Sequence, residues 1–222
     1  MQNANIEEYD FSVIEVIKKG FSRINGVKGT FIAAFVIYII VAIVLQVVLS
    51  FIFPIQTNIP TEPNNLNQLI TTIIGFPVLM PLLAGITMLA INHSRGKDIA
   101  FASIFNYYHL AGKLSLATIA MYVMMFLGFL LFIIPGIYLM IAYVFMTPLI
   151  VDKGMNVWEA METSRKAVTK HWFKVFGLSF MLGMIMLMGA IFFGIGLIWA
   201  IPLMFVTLHG ILYPLIFDGV EI

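Results

Sequence analysis

The chain has no cysteine and very little charge. Cysteine is absent from its 222 residues, which excludes disulfides, thiol nucleophiles and cysteine-ligated zinc or iron–sulfur clusters. Only 10% of the residues are charged, whereas 61% are hydrophobic and the mean hydropathy is +1.02. A soluble globular domain of this length does not tolerate such a composition. The net charge of +1 offers no broad basic surface, so we expect no nucleic-acid partner.

Recognisable catalytic motifs are also absent. The sequence has no glycine-rich phosphate loop, no serine–histidine–aspartate order and no zinc-protease signature. Its acidic residues either accompany basic residues or stand isolated, so we expect no carboxylate pair for acid–base catalysis. His93, Asp98 and His109 lie near one another in sequence, but their spacing matches no metal-ligand motif. We therefore predict a protein that is not an enzyme and needs no cofactor or metal.

Several apolar stretches are long enough to cross a bilayer. A spanning helix needs roughly 20 apolar residues, because about 30 Å of hydrocarbon is crossed at about 1.5 Å per residue. Six stretches meet this length: residues 30–53, 69–91, 114–134, 135–151, 175–193 and 197–217. The sequence therefore predicts an all-α, polytopic membrane helical bundle that forms a single domain over residues 1–222.

The basic residues fall on one side of these predicted spans. All twelve lie in three clusters: Lys18, Lys19, Arg23 and Lys28; Arg95, Lys97 and Lys113; and Lys153, Arg165, Lys166, Lys170 and Lys174. Cytoplasmic loops carry the excess of Lys and Arg in membrane proteins. We therefore expect a multi-pass protein of a bacterial cytoplasmic (inner) membrane with both termini in the cytoplasm. The first apolar run is longer than a signal-peptide core, which favours a retained span.

Three segments on the basic side have the pattern of amphipathic helices. They cover residues 6–24, 98–110 and 156–172, and each precedes a pair of spans. In the last segment Asn156 and Glu159 have the spacing of a capping box, and Glu162 and Lys166 form a favourable i,i+4 pair. Basic amphipathic helices lie along the headgroup boundary. We therefore expect anionic lipid as a partner at the cytoplasmic face.

The order of surface helix, span, outside turn and span occurs three times, which predicts three parallel hairpin repeats. Pro148 to Asp152 (PLIVD) closes the fourth span, and Pro214 to Asp218 (PLIFD) closes the sixth. Pro135 with Gly136 is predicted to form the outer tip of the second hairpin. Gly194 to Gly196 is predicted to form the outer tip of the third hairpin, with Trp199 as an interfacial anchor. The alternative is that proline-containing apolar helices resemble one another by chance.

Part of the chain resembles a known family. The pattern consists of Phe132 to Ile137 around the proline–glycine pair, then Pro148, Val151 to Gly154, and Ala160 to Ser164. These residues are similar to the YciC-like family of bacterial inner-membrane proteins. They are also similar to the membrane domain of some glycerophosphodiester phosphodiesterases. The resemblance implies a six-span polytopic protein, and it carries over no catalytic residue.

His209 is the ionisable residue that lies deep within a predicted span, next to Gly210 and near Thr207. One interpretation is a polar lumen position, a proton site or a ligand contact. The other, which we favour, is an interhelical hydrogen bond from neutral imidazole, with Gly210 permitting a close approach.

Small residues recur in the fifth span and the turn that follows it. Gly177, Gly183, Gly189 and Gly194 are candidates for close helix packing. The default interpretation is that these glycines let helices pack within one chain. The more specific alternative is that they form the interface of a homo-oligomer.

Two classes of function remain open. The first is a non-enzymatic membrane-organising or partner-binding subunit, whose protein partner the sequence does not name. The second is a passive transporter or lipid-handling channel, with a central path between helices kinked at Pro148, Pro202 and Pro214. Small and polar residues on one face of the second, fourth and sixth spans would favour the channel. Uniformly apolar contacts between those spans would favour the subunit.

Overall fold

The computed structural model describes residues 9–53, 65–191 and 194–220. Regular structure in these ranges is helical throughout, and no strand occurs among them. Within these ranges six helices are long and apolar enough to cross a membrane: Lys28–Ile52, Gln68–Ser94, Phe101–Leu131, Ile133–Asp152, Trp172–Ile191 and Leu197–Phe217. The prediction of an all-α protein with six apolar helices of spanning length is therefore confirmed.

Short interruptions divide some of these helices, and two further helices, Val13–Arg23 and Val157–Lys170, lie outside them. In chain order they are α1 (Val13–Arg23), α2 (Lys28–Ile52), α3 (Asn65–Ser94), a 3-10 helix (Phe101–Leu110), α4 (Ala111–Leu131), α5 (Ile133–Ala142), α6 (Met146–Asp152), α7 (Val157–Lys170), α8 (Trp172–Ile191), α9 (Leu197–Phe205), a π-helix (Val206–Leu212) and α10 (Tyr213–Phe217).

The last apolar helix lies at the centre of the bundle. Of its most apolar window, 78% is buried inside the protein, compared with 11% for α2. Leu203, Leu212 and Tyr213 on this helix are fully buried. A helix that is apolar on all sides is stable only where neighbours or lipid surround it. The protein itself surrounds this last helix, whereas α2 exposes its apolar side chains.

Two of the predicted kink prolines coincide with irregular helix. Proline lacks an N–H, and its ring conflicts with the carbonyl four residues earlier. Pro148 cannot donate a hydrogen bond to the carbonyl of Val144, and residues 143–145 form the turn that separates α5 from α6. Pro214 likewise follows the π-helix, which contains Gly210 four residues earlier. Pro202 lies inside α9, which continues through it.

The turn between α4 and α5 lies at Phe132 and not at Pro135. Phe132 is extended, with φ −162° and ψ 161°, between the end of α4 and the start of α5. Pro135 and Gly136 lie in the first turn of α5, where proline is tolerated because its missing N–H has no helical partner. Gly136 instead packs against α4: a Cβ added to Gly128 would lie 3.1 Å from the Gly136 Cα. These glycines therefore allow the two helices to touch near the turn.

The amphipathic segment before α8 forms the helix its pattern predicts. The capping box between Asn156 and Glu159 is present at the start of α7. Glu162 accepts two hydrogen bonds of 2.8 Å from Arg165, and Lys166 lies 3.4 Å from the same carboxylate. The hydrogen bond from Arg165 lowers the pKa of Glu162. Both local predictions for this helix are confirmed.

The segment predicted as the second interfacial helix packs along α3. It is a 3-10 helix that continues directly into α4 at Ala111. Ile104 is fully buried, and the Tyr108 hydroxyl donates to the Val78 carbonyl at 3.0 Å. The third apolar helix consequently begins at Phe101.

Candidate functional site

A cluster of ion pairs joins the ends of three apolar helices. Arg95 follows α3, Asp152 is the last residue of α6, and Asp218 follows α10. The Arg95 guanidinium makes a bidentate pair with Asp152, at 2.6 Å for Nη1–Oδ1 and 2.8 Å for Nη2–Oδ2. The same Nη2 lies 2.7 Å from Asp218 Oδ2. One guanidinium therefore holds two carboxylates that come from distant parts of the chain.

Two further side chains complete this cluster. The Lys153 ammonium lies 2.5 Å from Asp218 Oδ1, and the buried Tyr213 hydroxyl donates to Asp152 Oδ2 at 3.0 Å. The side chains of Arg95, Asp152 and Asp218 are 26%, 11% and 18% exposed. With two cations and two carboxylates, the cluster carries no net charge. Hydrogen bonding to Asp152 raises the pKa of Arg95, so the guanidinium stays charged.

This arrangement can join helices but provides no evident site for an ion. Each carboxylate is neutralised by a cation, and bidentate Arg–carboxylate pairs have a fixed geometry. Among the described residues no group of three or more His, Asp or Glu side chains is placed to hold a metal. The cluster therefore links the ends of α3, α6 and α10 through ion pairs.

Sequence analysis missed this cluster. The sequence assigned Asp152 and Asp218 only to the ends of two spans, whereas in the structure both bind Arg95. Two features of the sequence could have indicated the cluster. An Asp ends both the PLIVD and the PLIFD segments, and Arg95 comes just after the second apolar stretch. Of His93, Asp98 and His109, the two histidines lie beside backbone carbonyl oxygens. Among them, His93 Nε2 lies 2.9 Å from the Arg23 carbonyl and His109 Nδ1 lies 3.0 Å from the Asn106 carbonyl.

The π-helix forms a second unusual feature, halfway along the last apolar helix. It contains Thr207 and His209. The His209 ring lies 6.1 Å from the ring centroid of Phe145 and 6.0 Å from that of Phe205. Thr207 Oγ1 and His209 Nδ1 are buried and find no hydrogen-bond partner among the described residues. The interhelical hydrogen bond expected for His209 is therefore not made by this nitrogen. π-Helical turns occur frequently at functional sites.

The expected close approach at Gly210 is present. A Cβ added there would lie 2.9 Å from the Ala90 carbonyl oxygen of α3. On another side of the same π-helix, Gly20 of α1 packs against the Thr207 hydroxyl. The π-helix is therefore enclosed by two backbones, which leaves its polar atoms little room.

The four candidate packing glycines differ in their surroundings. Gly189 lies against Gly196, so that a Cβ on Gly189 would be 2.9 Å from the Gly196 carbonyl carbon. Gly194 has φ +75°, a backbone conformation that favours glycine in the turn before α9. Gly177 and Gly183 have no neighbouring atom within 4 Å of an added Cβ. The contact within the chain thus involves Gly189, while Gly177 and Gly183 leave space on the surface of α8.

In comparisons with known proteins, the chain matches no protein family, no curated protein and no solved structure.

Proposed function

We propose that the chain is a non-enzymatic, multi-pass protein of a bacterial inner membrane that serves as a membrane-organising or partner-binding subunit. Its three pairs of apolar helices enter from the cytoplasmic face as parallel repeats, and both termini lie in the cytoplasm. The twelve basic residues support this orientation. The convergence of Asp152 and Asp218, from equivalent segments, on Arg95 supports the repeat.

The packing of the inner helices carries this proposal. Phe145 and Leu149 of the fourth apolar helix and Leu203 and Leu212 of the last are fully buried. The π-helix touches the α3 backbone through Gly210. Apolar side chains thus occupy the region where a channel would need a polar path. Such contacts between the second, fourth and sixth apolar helices favour a solid bundle, which acts through its outer surface.

The outer surface supports lipid as a partner. Each basic residue near an anionic membrane surface contributes about 1 kcal/mol before screening. α1 carries Lys18, Lys19 and Arg23 along one short helix. We propose that these residues recruit anionic lipid around the protein, and that membership of the YciC-like family accounts for the resemblance around Pro135 and Gly136.

Energy transfer to labelled lipid tests the lipid-organising role. The chain has three tryptophans, which can transfer excitation to a dansyl group on a lipid. In vesicles of mixed lipid, an anionic dansyl-lipid should quench tryptophan more than a zwitterionic one, and the difference should fall as salt rises. The Lys18→Gln/Lys19→Gln variant should reduce the difference. Equal quenching by the two lipids would contradict the proposal.

The π-helix favours passive transport as the second candidate. Thr207 Oγ1 and His209 Nδ1, which are buried in the last apolar helix without a hydrogen-bond partner among the described residues, are the kind of polar atoms that line a substrate path. Reconstituted protein should then show solute or ion flux that His209→Ala abolishes. The subunit proposal predicts no flux above that of empty vesicles, so the same measurement separates the candidates.

A further inference from the structure

Two tyrosines lie near the middle of apolar helices of spanning length. Tyr38 follows Lys28, the first residue of α2, by about 15 Å along the helix axis. Tyr122 lies halfway along α4, about 16 Å from its start at Ala111 and about 13 Å from its end at Leu131. Because a spanning helix crosses about 30 Å of hydrocarbon, both side chains belong near the middle of the bilayer.

Both of these tyrosine hydroxyls lack a hydrogen-bond partner at this depth. No hydrogen bond joins the hydroxyl of Tyr38 or Tyr122 to another of the described residues. The hydroxyls of Tyr9, Tyr138 and Tyr213, by contrast, each have one. Tyrosines of membrane proteins concentrate at the two interfaces, where the hydroxyl meets water. An unpaired hydroxyl is costly in an apolar environment, so these two groups need a partner from outside the described part of the chain.

Phenylalanine rings extend the two tyrosines into a larger aromatic surface. Phe35 stacks on Tyr38, with ring centroids 5.9 Å apart. Phe76 of α3 stacks on Tyr122 at 5.9 Å, with an angle of 13° between the ring planes. α3 packs against both α2 and α4, and Tyr38 and Tyr122 are close enough to interact electrostatically. We call these four side chains the aromatic face.

The aromatic face is open to lipid. Tyr122 is 52% exposed, and Phe126, one turn further along α4, is 66% exposed. Phe35, Tyr38 and Phe76 are partly exposed as well. A flat molecule that diffuses within the hydrocarbon can therefore reach both the rings and the hydroxyls.

The depth of the two hydroxyls restricts the chemistry of their partner. Phospholipids carry their polar groups at the interfaces, about 15 Å from the centre of the hydrocarbon core. The partner must instead carry a hydrogen-bond acceptor that stays within hydrocarbon. A quinone ring meets this requirement, because its carbonyl oxygens accept hydrogen bonds and its flat ring stacks on aromatic side chains. An isoprenoid tail keeps such a ring in the membrane.

We infer that the aromatic face binds the ring of an isoprenoid quinone, with the hydroxyls of Tyr38 and Tyr122 donating to its carbonyl oxygens. The tail lies against exposed apolar side chains such as Phe126. This inference concerns binding alone and does not depend on the function proposed above.

A short-tailed quinone tests this site. Full-length protein in phospholipid nanodiscs is titrated with radiolabelled decylubiquinone, and binding to empty nanodiscs is subtracted. The wild type should bind it saturably. Tyr38→Phe and Tyr122→Phe should each weaken the affinity about fivefold, the loss expected for one neutral hydrogen bond. Tyr138→Phe is the matched control: its hydroxyl lies 2.6 Å from the Thr169 hydroxyl, and the affinity should stay unchanged.

A second probe isolates the carbonyl oxygens. Decylbenzene has the tail and a ring without carbonyl oxygens, so the wild type should bind it no more tightly than the Tyr38→Phe/Tyr122→Phe double variant does. Circular dichroism checks that each variant keeps its fold, which a change of one exposed or partly exposed oxygen should not disturb.

Three results would overturn the inference. The first is the absence of saturable quinone binding by the wild type, and the second is an unchanged affinity in the double variant. The third is a wild-type oligomer, detected by cross-linking, that the double variant dissociates while quinone binding stays the same. In that case the two hydroxyls contact a second copy of the chain.

Discussion

Gly85 and Ile104 are in backbone contact. A Cβ added to Gly85 of α3 would lie 2.5 Å from the carbonyl oxygen of Ile104 in the 3-10 helix. No real Cβ approaches a backbone atom so closely, so the two helices meet there because residue 85 has no side chain. This contact holds the start of the third apolar helix along α3.

Gly85→Ala should therefore destabilise the protein. The backbone of Ile104 is less able to move than a side chain, and we expect a loss of about 1–3 kcal/mol in the free energy of unfolding. Gly183→Ala is the matched control, since no atom lies within 4 Å of its added Cβ; helix propensity alone predicts a gain of about 0–1 kcal/mol. Thermal unfolding in one detergent compares them, and equal melting temperatures would contradict the contact.

Ser164→Ala should loosen α7 from the fourth apolar helix. Its fully buried hydroxyl binds both Ala142 and Phe145, where that helix is interrupted. Removing it leaves the buried Phe145 N–H without this partner, which predicts a loss of about 1–3 kcal/mol. Ser103→Ala removes a hydroxyl whose solvent-exposed hydrogen bond goes only to the nearby Ala100 carbonyl, and it should stay within about 0.5 kcal/mol. Hydrogen exchange at residue 145 should rise in the first variant alone.

Arg95→Met should separate the ends of three apolar helices. It leaves Asp152 and Asp218 without their shared cation, and a fully buried pair broken in this way costs about 3–5 kcal/mol. Because the side chains are partly exposed, solvent screening reduces the expected loss to about 1–3 kcal/mol. The Lys97→Met variant should change stability by no more than about 0.5 kcal/mol.

A double variant checks whether the pair itself is responsible. Asp152→Asn combined with Arg95→Met should lose less than the sum of the two single variants, because both remove the same interaction. Simple additivity in denaturant or thermal unfolding would show that Arg95 acts elsewhere.

Features that depend on neighbouring residues could be predicted from the sequence. The capping box at Asn156 and the pair of Glu162 with Lys166 need only residues three or four apart on one helix. The length of each apolar stretch can likewise be read directly from its run of consecutive apolar residues. The predicted position of the second turn, at Pro135, is three residues too late. Proline marks a helix boundary but is also accepted within the first turn of a helix, so it does not fix the exact residue at which the chain turns.

Long-range contacts could not be predicted in the same way. Periodicity does not report which helix ends meet, so it could not indicate that Arg95 binds both Asp152 and Asp218. The level of α7 beside Ala142 also depends on tertiary packing. The close contact of the π-helix with α3 at Gly210 is likewise tertiary, and no local pattern signals it.

Thr207→Val distinguishes a merely enclosed hydroxyl from one that serves a ligand. Thr207 Oγ1 is buried without a hydrogen-bond partner among the described residues. Because valine has nearly the same shape and needs no partner, the variant should be neutral or more stable by up to about 1 kcal/mol. Thr87→Val is the control: its buried hydroxyl donates to the Leu83 carbonyl at 3.0 Å, and we expect a loss of about 0.5–1.5 kcal/mol. Thermal unfolding in detergent gives both values. If Thr207→Val instead loses more than the control, the hydroxyl has a partner such as bound water or substrate, and passive transport through the π-helix becomes the stronger candidate.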